Sequence, residues 1–456
     1  MLPISFCERM KSALGEEYEA FIRSLDEADA VKGIRVNGIK ADVDTFLKVS
    51  DLAGERIPYT EDGFYPTRDE GLGNTPEHHS GMIYVQDPGA MAPLWAVDIK
   101  EGYKVADLCS APGGKSAQAA ARIGDSGFLL SNEYVPKRAK LTVSNFERLG
   151  IKNAIVTSMD TAELTQLFSE EFDLVICDVP CSGEGMFRKN DLARAEWSPE
   201  NVTLCAKRQR DIIRNAARLV KPGGTLLYST CTWSYEENEE IIRDFIKDNV
   251  EFRIEKACNS VIEYTKDGSV SYGEDMKHTR RFYPHVAPGE GQFFAVLKKE
   301  EKSSNKQTIL YKDSTKPLSK VENAIVDKFL KDNFTDIPKG RIVKCGESVT
   351  LISHSCPIPP RSVFMSGVLL GEIKGNMLFP SHQLFSAYGN SFKNKIDLSR
   401  DDERLKKYLR GEEISADPDT KGGFCAVLFE GVSLGGGKSS GGVIKNHYPK
   451  GLRIKG

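Results

Sequence analysis

The clearest pattern in the chain is an alternation of short apolar runs and amphipathic stretches between residues 104 and 297. Continuous apolar runs of this length are typical of strands in a parallel sheet that is covered on both faces. The predicted strands span residues 104–108, 128–133, 154–158, 174–178, 225–229 and 293–297. The predicted helices span residues 115–123, 136–149, 201–220 and 235–249. This order predicts an α/β domain with a mostly parallel sheet and helices on both faces.

The segments on either side of this domain have different patterns. Helical spacing over residues 6–25 and a short strand over 31–37 predict a small N-terminal α/β segment. The polar stretch 298–307 (KKEEKSSNKQ) predicts a linker, and a helix is expected at 321–332. Short apolar runs separated by glycines predict a β-rich C-terminal region. The expected domains are residues 1–95, 96–300, 308–375 (an intermediate α/β domain) and 376–456.

Composition narrows the class of protein. A chain of 456 residues with 40% hydrophobic content is long enough for several packed domains. We find neither an apolar run that would span a bilayer nor a signal peptide, so we expect a soluble, cytoplasmic protein without membrane contact. The ten cysteines include no C-x-x-C pair, and neither disulfides nor a bound metal are expected. The net charge of −3 does not by itself indicate a polyanionic partner.

A glycine-rich loop follows the first predicted strand and precedes a helix. Such a loop lets backbone amides approach a ligand closely at the positive end of the helix. The G-x-G-x-x-G dinucleotide pattern is absent, and the phosphate loop G-x-x-x-x-G-K-[ST] lacks its first glycine, so a nucleoside triphosphatase is the secondary alternative. The loop residues that we expect to bind a cofactor are Cys109, Ser110, Ala111, Pro112, Gly113, Gly114 and Lys115.

Three carboxylates follow the next three strands. Glu133 closes the second strand, Asp160 follows the third and Asp178 ends the fourth. Parallel strands bring their carboxyl ends to one edge of the sheet, where ligands bind, so we expect these side chains to converge. Glu133 stands near the distance at which an acidic residue reaches ribose hydroxyls.

Two cysteines lie at the ends of predicted strands. Cys181 follows Pro180 after the fourth strand, and Cys231 follows the fifth strand. Cysteine reacts as its thiolate, and the sequence Ser234 to Glu237 predicts a capping box whose helix end would favour an anion near Cys231. Two thiols on one candidate cofactor edge predict covalent attack by sulfur on a small electrophile.

These motifs resemble the nucleolar-protein/Sun family of RNA cytosine carbon-5 methyltransferases, and most closely its bacterial RsmF (YebU-like) rRNA branch. The similarity runs from GIRVN (33–37) and YVQDPGAM (84–91) to RRFYPHVAPGEGQFFAVL (280–297). It implies a Rossmann-like class I methyltransferase domain that binds S-adenosylmethionine through the loop at 109–115, Glu133, Asp160 and Asp178. The end of the chain, with SLGGGK and KNHYPKGLR, resembles a PUA-like RNA-binding region.

The resemblance also implies roles for the thiols. In this family the Thr-Cys cysteine, here Cys231, is the nucleophile, and the Pro-Cys cysteine, here Cys181, helps to release the product. Lys115 is placed at the junction of cofactor and target base. A thiolate added at carbon 6 of a pyrimidine makes carbon 5 reactive, and an acid such as Asp178 would stabilise the charge that develops at ring nitrogen 3.

The expected function is therefore methylation of carbon 5 of a cytosine in ribosomal RNA through a covalent Cys231 adduct. The expected partner is ribosomal RNA, within a ribosomal subunit or assembly particle, with residues 1–95 helping to position it and the protein acting as a monomer. Two alternatives remain: an RNA-binding assembly factor with a vestigial cofactor domain, and a DNA cytosine methyltransferase. The presence of both thiols and of the loop glycines disfavours the first, and the Thr-Cys residue disfavours the second.

Overall fold

The N-terminal segment contains a four-stranded antiparallel sheet with the strand order β2-β3-β1-β4. The structure is a computed structural model that describes residues 2–26, 29–301 and 308–454. The single helix expected over residues 6–25 is divided at Gly15, where φ is +53°. The elements are α1 (Ile4–Leu14), α2 (Tyr18–Asp26), β1 (Gly33–Val36), α3 (Val43–Val49), β2 (Ala53–Arg56), β3 (Gly63–Pro66), α4 (Pro76–His79) and β4 (Ile83–Gln86).

The predicted α/β domain follows. Its strands are β5 (Lys104–Asp107), β6 (Phe128–Asn132), β7 (Ala154–Thr157), β8 (Phe172–Asp178), β9 (Val220–Thr230), β10 (Phe252–Glu255), β11 (Lys266–Asp267), β12 (Arg280–Phe282) and β13 (Gln292–Lys299). Its helices are α5 (Pro88–Trp95), α6 (Gly114–Ile123), α7 (Pro136–Leu149), α8 (Thr161–Leu167), α9 (Asp191–Glu196), α10 (Pro199–Ala217), α11 (Glu239–Asp248) and α12 (Asn259–Ile262).

The central sheet has a parallel core. Neighbouring strands β9-β8-β5-β6-β7 are all parallel, and the antiparallel strands β13, β12 and β11 extend the sheet beyond β9. Consecutive residues point to opposite faces, so that Leu129 and Leu130 of β6 enter two different hydrophobic clusters. The predicted α/β fold with apolar cores on both faces of a parallel sheet is confirmed. Because the chain proceeds outward from β5 in both directions, a ligand crevice is expected at the carboxyl ends of β5 and β8.

One predicted helix begins later than expected. The helix expected over residues 235–249 begins only at Glu239, after a single 3-10 turn, Tyr235–Glu237. Ser234 does not cap it, because its Oγ donates to Glu184 Oε1 at 2.6 Å. The Glu237 carboxylate accepts a hydrogen bond from the Ser182 amide instead of completing a capping box. The predicted helix end beside Cys231 is therefore absent from this part of the described chain.

A second sheet follows the α/β domain, in the order β14-β15-β16-β18-β19. The elements are β14 (Lys316–Pro317), α13 (Lys320–Asn333), β15 (Arg341–Cys345), β16 (Ser348–Ile352), β17 (Val363–Ser366), β18 (Val368–Lys374) and β19 (Met377–Pro380). Strand β17 does not belong to this second sheet; it pairs with β7 at the edge of the central sheet. The expected domain boundary at 375/376 falls between the paired strands β18 and β19. Of the expected linker, 298–299 belong to β13, and 302–307 lie outside the described residues.

The C-terminal region contains a five-stranded sheet in the order β20-β22-β23-β24-β21. It is β-rich, as predicted, and shares a hydrophobic cluster with the N-terminal sheet. Across that contact the Lys40 ammonium donates to Ser433 O at 3.0 Å. The elements are α14 (His382–Tyr388), β20 (Lys395–Leu398), α15 (Glu403–Arg410), β21 (Ile414–Ser415), β22 (Gly423–Phe429), β23 (Val432–Ser440) and β24 (Val443–Asn446). Among the described residues, no helix has the length and apolar character needed to cross a membrane.

Candidate active site

The glycine-rich loop lies at the carboxyl end of β5, where the sheet topology predicts a ligand crevice. Gly113 has φ of +106°, a conformation that side chains with a Cβ rarely adopt, and α6 begins at the next residue. Two side chains from α7 hold the loop: Arg138 donates to Ala111 O at 3.0 Å, and Asn145 donates to Pro112 O at 2.9 Å. The loop is thus fixed in a shape that turns the start of α6 toward the crevice.

Buried polar atoms beside this loop lack protein partners. Within the described chain, Ser110 Oγ and Asp107 Oδ1 are buried without a hydrogen bond. The other Asp107 oxygen accepts from Ser116 Oγ at 2.6 Å, and burial raises the pKa of this carboxyl to about 7. Buried polar groups are normally satisfied, so these atoms fit a polar ligand bound against the loop.

Of the three acidic residues expected beside the cofactor, Glu133 and Asp160 lie on the same edge of the sheet as the glycine-rich loop. Glu133 is buried; its Oε1 accepts from the Val135 amide at 2.9 Å, and its Oε2 lies 3.4 Å from Arg138 Nη1. Asp160 is exposed and caps α8, accepting from the Ala162 amide at 2.8 Å. The Asp160 carboxylate therefore caps a helix, and the Glu133 carboxylate is held in a fixed orientation by Val135 and Arg138.

Lys115 and Asp178 form an ion pair at the centre of the edge. The Lys115 Nζ atom lies 2.9 Å from Asp178 Oδ2, and Ser229 Oγ donates to Asp178 Oδ1 at 2.7 Å. Burial acts to lower the pKa of Lys115, but the charge and hydrogen bond of Asp178 and the charge of Cys231 raise it overall. Lys115 therefore remains an ammonium ion at neutral pH, close to both Asp178 and Cys231.

The two predicted thiols are brought together. Cys181 Sγ and Cys231 Sγ are 3.2 Å apart, although 50 positions separate them in the chain. Both residues are partly exposed. The hydrogen bond to Cys231, burial and the charge of Cys231 raise the pKa of Cys181 well above its ordinary value. Cys181 is therefore a neutral thiol at neutral pH, able to donate a hydrogen bond to the sulfur of Cys231.

Several buried polar residues behind the thiols were not found from the sequence. Glu184 accepts hydrogen bonds from the Trp233 amide at 2.8 Å and from Ser234 Oγ. Gln209 of α10 and Glu237 contact the loop that carries Cys181. Glu184 and Glu237 are close in the chain to the two cysteines, and Glu237 is part of the predicted capping box, but Gln209 has no such signal. The roles of these residues depend on contacts between segments that are distant in sequence.

Family models of known proteins match three parts of the chain. The family model for 16S rRNA methyltransferase RsmB/F matches residues 94–298. The models for the N-terminal domain of 16S rRNA methyltransferase RsmF and for the methyltransferase RsmF PUA domain match residues 2–88 and 393–454. The PUA domain expected at the C-terminus is thus confirmed.

Relatives and solved structures support the same assignment. Ribosomal RNA small subunit methyltransferase F of Vibrio vulnificus (strain YJ016) is 31% identical over 99% of this chain and 97% of its own length. A methyltransferase homolog protein from Pyrococcus horikoshii is 29% identical with a TM-score of 0.56, covering 64% of this chain and 94% of that one. NSun6 from Pyrococcus horikoshii with SFG, at 21% identity and a TM-score of 0.57 over 66% of this chain and 99% of its own, shows the fold alone. The chain belongs to the RsmB/F family of 16S rRNA methyltransferases.

Proposed function

We propose that the protein transfers a methyl group from S-adenosylmethionine to carbon 5 of a cytosine in small-subunit ribosomal RNA. The observation that carries this proposal is the pair of cysteine sulfurs 3.2 Å apart, at the edge where Lys115 and Asp178 form their ion pair. Carbon-5 methylation of a pyrimidine needs a nucleophile for carbon 6 and a base for the carbon 5 proton, and the two thiols can fill these two roles. The family membership supports ribosomal RNA as the substrate.

The residues of the edge fit S-adenosylmethionine. Residues 109–115 would hold it at the start of α6, Glu133 would accept hydrogen bonds from its ribose, and Asp160 and Asp178 are further groups available to it on the same edge. The unpartnered Ser110 Oγ is a further atom available to it. When bound, this cofactor supplies an electrophilic methyl group.

Cys231 would act as the nucleophile. Having lost its proton to solvent, its thiolate bonds to carbon 6 of the cytosine, and the electron pair of the double bond between carbons 5 and 6 moves to carbon 5, which can then accept the methyl group. As negative charge develops on the ring, nitrogen 3 would take a proton from solvent and donate a hydrogen bond to the Asp178 carboxylate, whose Oδ2 atom lies 2.9 Å from Lys115 Nζ. The ring would return this proton to solvent when the sulfur leaves. A base flipped from its stack can reach a pocket between these residues and the cofactor.

Cys181 would complete the cycle. Once it has lost its own proton to solvent, its sulfur removes the proton from carbon 5. The C–H electron pair then re-forms the double bond between carbons 5 and 6, and the Cys231 sulfur leaves as a thiolate. At the end of the cycle, as before the attack, Cys181 carries a proton and Cys231 is a thiolate.

Replacing the nucleophile tests the proposal. Cys231→Ala should bind S-adenosylmethionine normally but transfer no methyl group to 16S ribosomal RNA, whether the RNA is naked or in assembled subunits. Cys258→Ala, at a partly exposed cysteine that caps α12, is the matched control and should retain activity. The assays are calorimetric binding of the cofactor and bisulfite mapping of the RNA. Normal methylation by Cys231→Ala would disprove the covalent mechanism.

A further inference from the structure

A buried carboxylate lies behind the two thiols and has no role in the chemistry described above. The Glu237 side chain is fully buried in the turn that follows Cys231. Its Oε2 atom accepts from the Ser182 amide at 3.0 Å and from Gln209 Nε2 at 2.7 Å. Neither donor carries a charge. Burial raises the pKa of the Glu237 carboxyl to about 7, as expected for an acid that is buried among neutral donors.

Of the two partners of Glu237, Ser182 belongs to the loop that carries Cys181, and Gln209 of α10 contacts this loop. Ser182 follows Cys181 directly, and Gln209 Nε2 also donates to Pro180 O, at 2.9 Å, on the other side of the cysteine. The carboxylate therefore holds the backbone after Cys181 directly, and the backbone before it through Gln209. Both contacts fix the direction in which the Cys181 side chain leaves the backbone.

Other hydrogen bonds also join this loop to the segment of Cys231. Ser182 Oγ and Thr232 Oγ1 are 2.9 Å apart, and the Gly185 amide donates to Cys231 O at 2.9 Å. Glu184 of this loop also accepts hydrogen bonds from the Trp233 amide and Ser234 Oγ. Because Glu237 belongs to the same segment as Cys231, its bond to Ser182 is a further connection between the two loops, and it is the one in which a buried carboxylate holds the residue next to Cys181.

We propose that Glu237 is a positioning residue that holds Cys181 against Cys231, so that the thiol reaches the adduct for the release step. This inference rests on the proposed function, since it assigns Glu237 to a step of that reaction. The expected consequence is specific. Without the carboxylate, Cys231 still attacks and carbon 5 is still methylated, but release becomes slow. A misplacement of about 1 Å can slow a catalytic step by on the order of 100-fold.

Two substitutions of Glu237 separate geometry from charge. Glu237→Ala removes both accepted hydrogen bonds, and the covalent protein–RNA adduct should accumulate on a denaturing gel during turnover, as it should for Cys181→Ala. Glu237→Gln retains an oxygen that can accept both bonds, so it should release the product as the parent protein does. Ile242→Val is the control for loosened packing, because Ile242 is a buried residue of the next helix, α11, and this change should produce no adduct.

The outcomes distinguish the inference from the function on which it rests. If Cys181→Ala forms no adduct, the proposed release role of Cys181 is wrong. If Cys181→Ala forms the adduct and Glu237→Ala turns over normally, the positioning role of Glu237 is wrong. Accumulation of adduct by Glu237→Gln would also overturn it, because the two bonds would then not be what matters. If Glu237→Ala does not fold, Gln209→Ala tests the same clamp by removing the bond to Pro180 O, and it too should accumulate adduct.

Discussion

A buried ion pair next to the active-site segment allows a quantitative test of how this segment is held. Arg281 of β12 and Glu239 of α11 are almost completely buried, with side chains 4% and 0% exposed. Arg281 Nε donates to Glu239 Oε1 at 2.7 Å, and Nη2 donates to the other carboxylate oxygen. Arg281 Nη1 donates to Trp233 O at 2.8 Å, and the guanidinium lies 4.4 Å from the centre of the Tyr235 ring. The pair thus supports the residues immediately after Cys231.

The magnitude follows from this burial. Removing one partner leaves an unpaired charge in the interior, so Arg281→Met and Glu239→Gln should each lower the free energy of unfolding by about 3–5 kcal/mol. Replacing both residues, as in Arg281→Met with Glu239→Leu, leaves no charge. The double variant should lose only about 1–2 kcal/mol, chiefly because Trp233 O loses its donor. The two single effects should therefore be strongly non-additive.

The assay is urea unfolding followed by tryptophan fluorescence, since Trp197 and Trp233 both belong to the neighbouring hydrophobic cluster. The single variants should unfold at clearly lower urea concentrations than the double variant. Methylation should fall in all three, because each disturbs the support of the Trp233 segment. If the double variant is destabilised by the sum of the two single effects, the pair does not act as a buried ion pair and the reasoning fails.

Two further predictions concern other charged groups. Lys115→Met should slow methyl transfer by about 10²–10³-fold in a single-turnover assay, because Asp178 loses its cation. Lys100→Met, on an exposed loop, is the control, and an unchanged rate in Lys115→Met would contradict the prediction. Burial lowers the pKa of Lys40 from 10.5 to about 7, so above pH 7 the unfolded chain binds more protons than the folded one. Stability against urea should therefore rise from pH 7 to pH 9, and this rise should be smaller in Lys40→Met; equal rises would refute the argument.

The elements of the α/β domain could be predicted because their signals are local. Apolar runs and helical spacing located the parallel strands, and the glycines after β5 marked the loop at the crevice. Contacts made at long range had no such signal. The sequence Ser234 to Glu237 matches a capping box, yet tertiary contacts to Glu184 and Ser182 outcompete the local pattern. Strand β17 joins the edge of the central sheet from a distant part of the chain, which periodicity does not reveal.

The contact between the two thiols also explains why attack would come before release in the proposed mechanism. The hydrogen bond and the charge of Cys231 are two of the causes that raise the pKa of Cys181, so in the proposed mechanism Cys181 would retain its proton while the Cys231 sulfur attacks. Once the Cys231 sulfur is bonded to the pyrimidine, both causes are lost and the pKa of Cys181 falls. Burial remains and keeps that pKa above its ordinary value, which makes the Cys181 thiolate a stronger base than an exposed one. In the proposed mechanism the base for release would therefore form only after attack, and this order would depend on the 3.2 Å separation of the sulfurs.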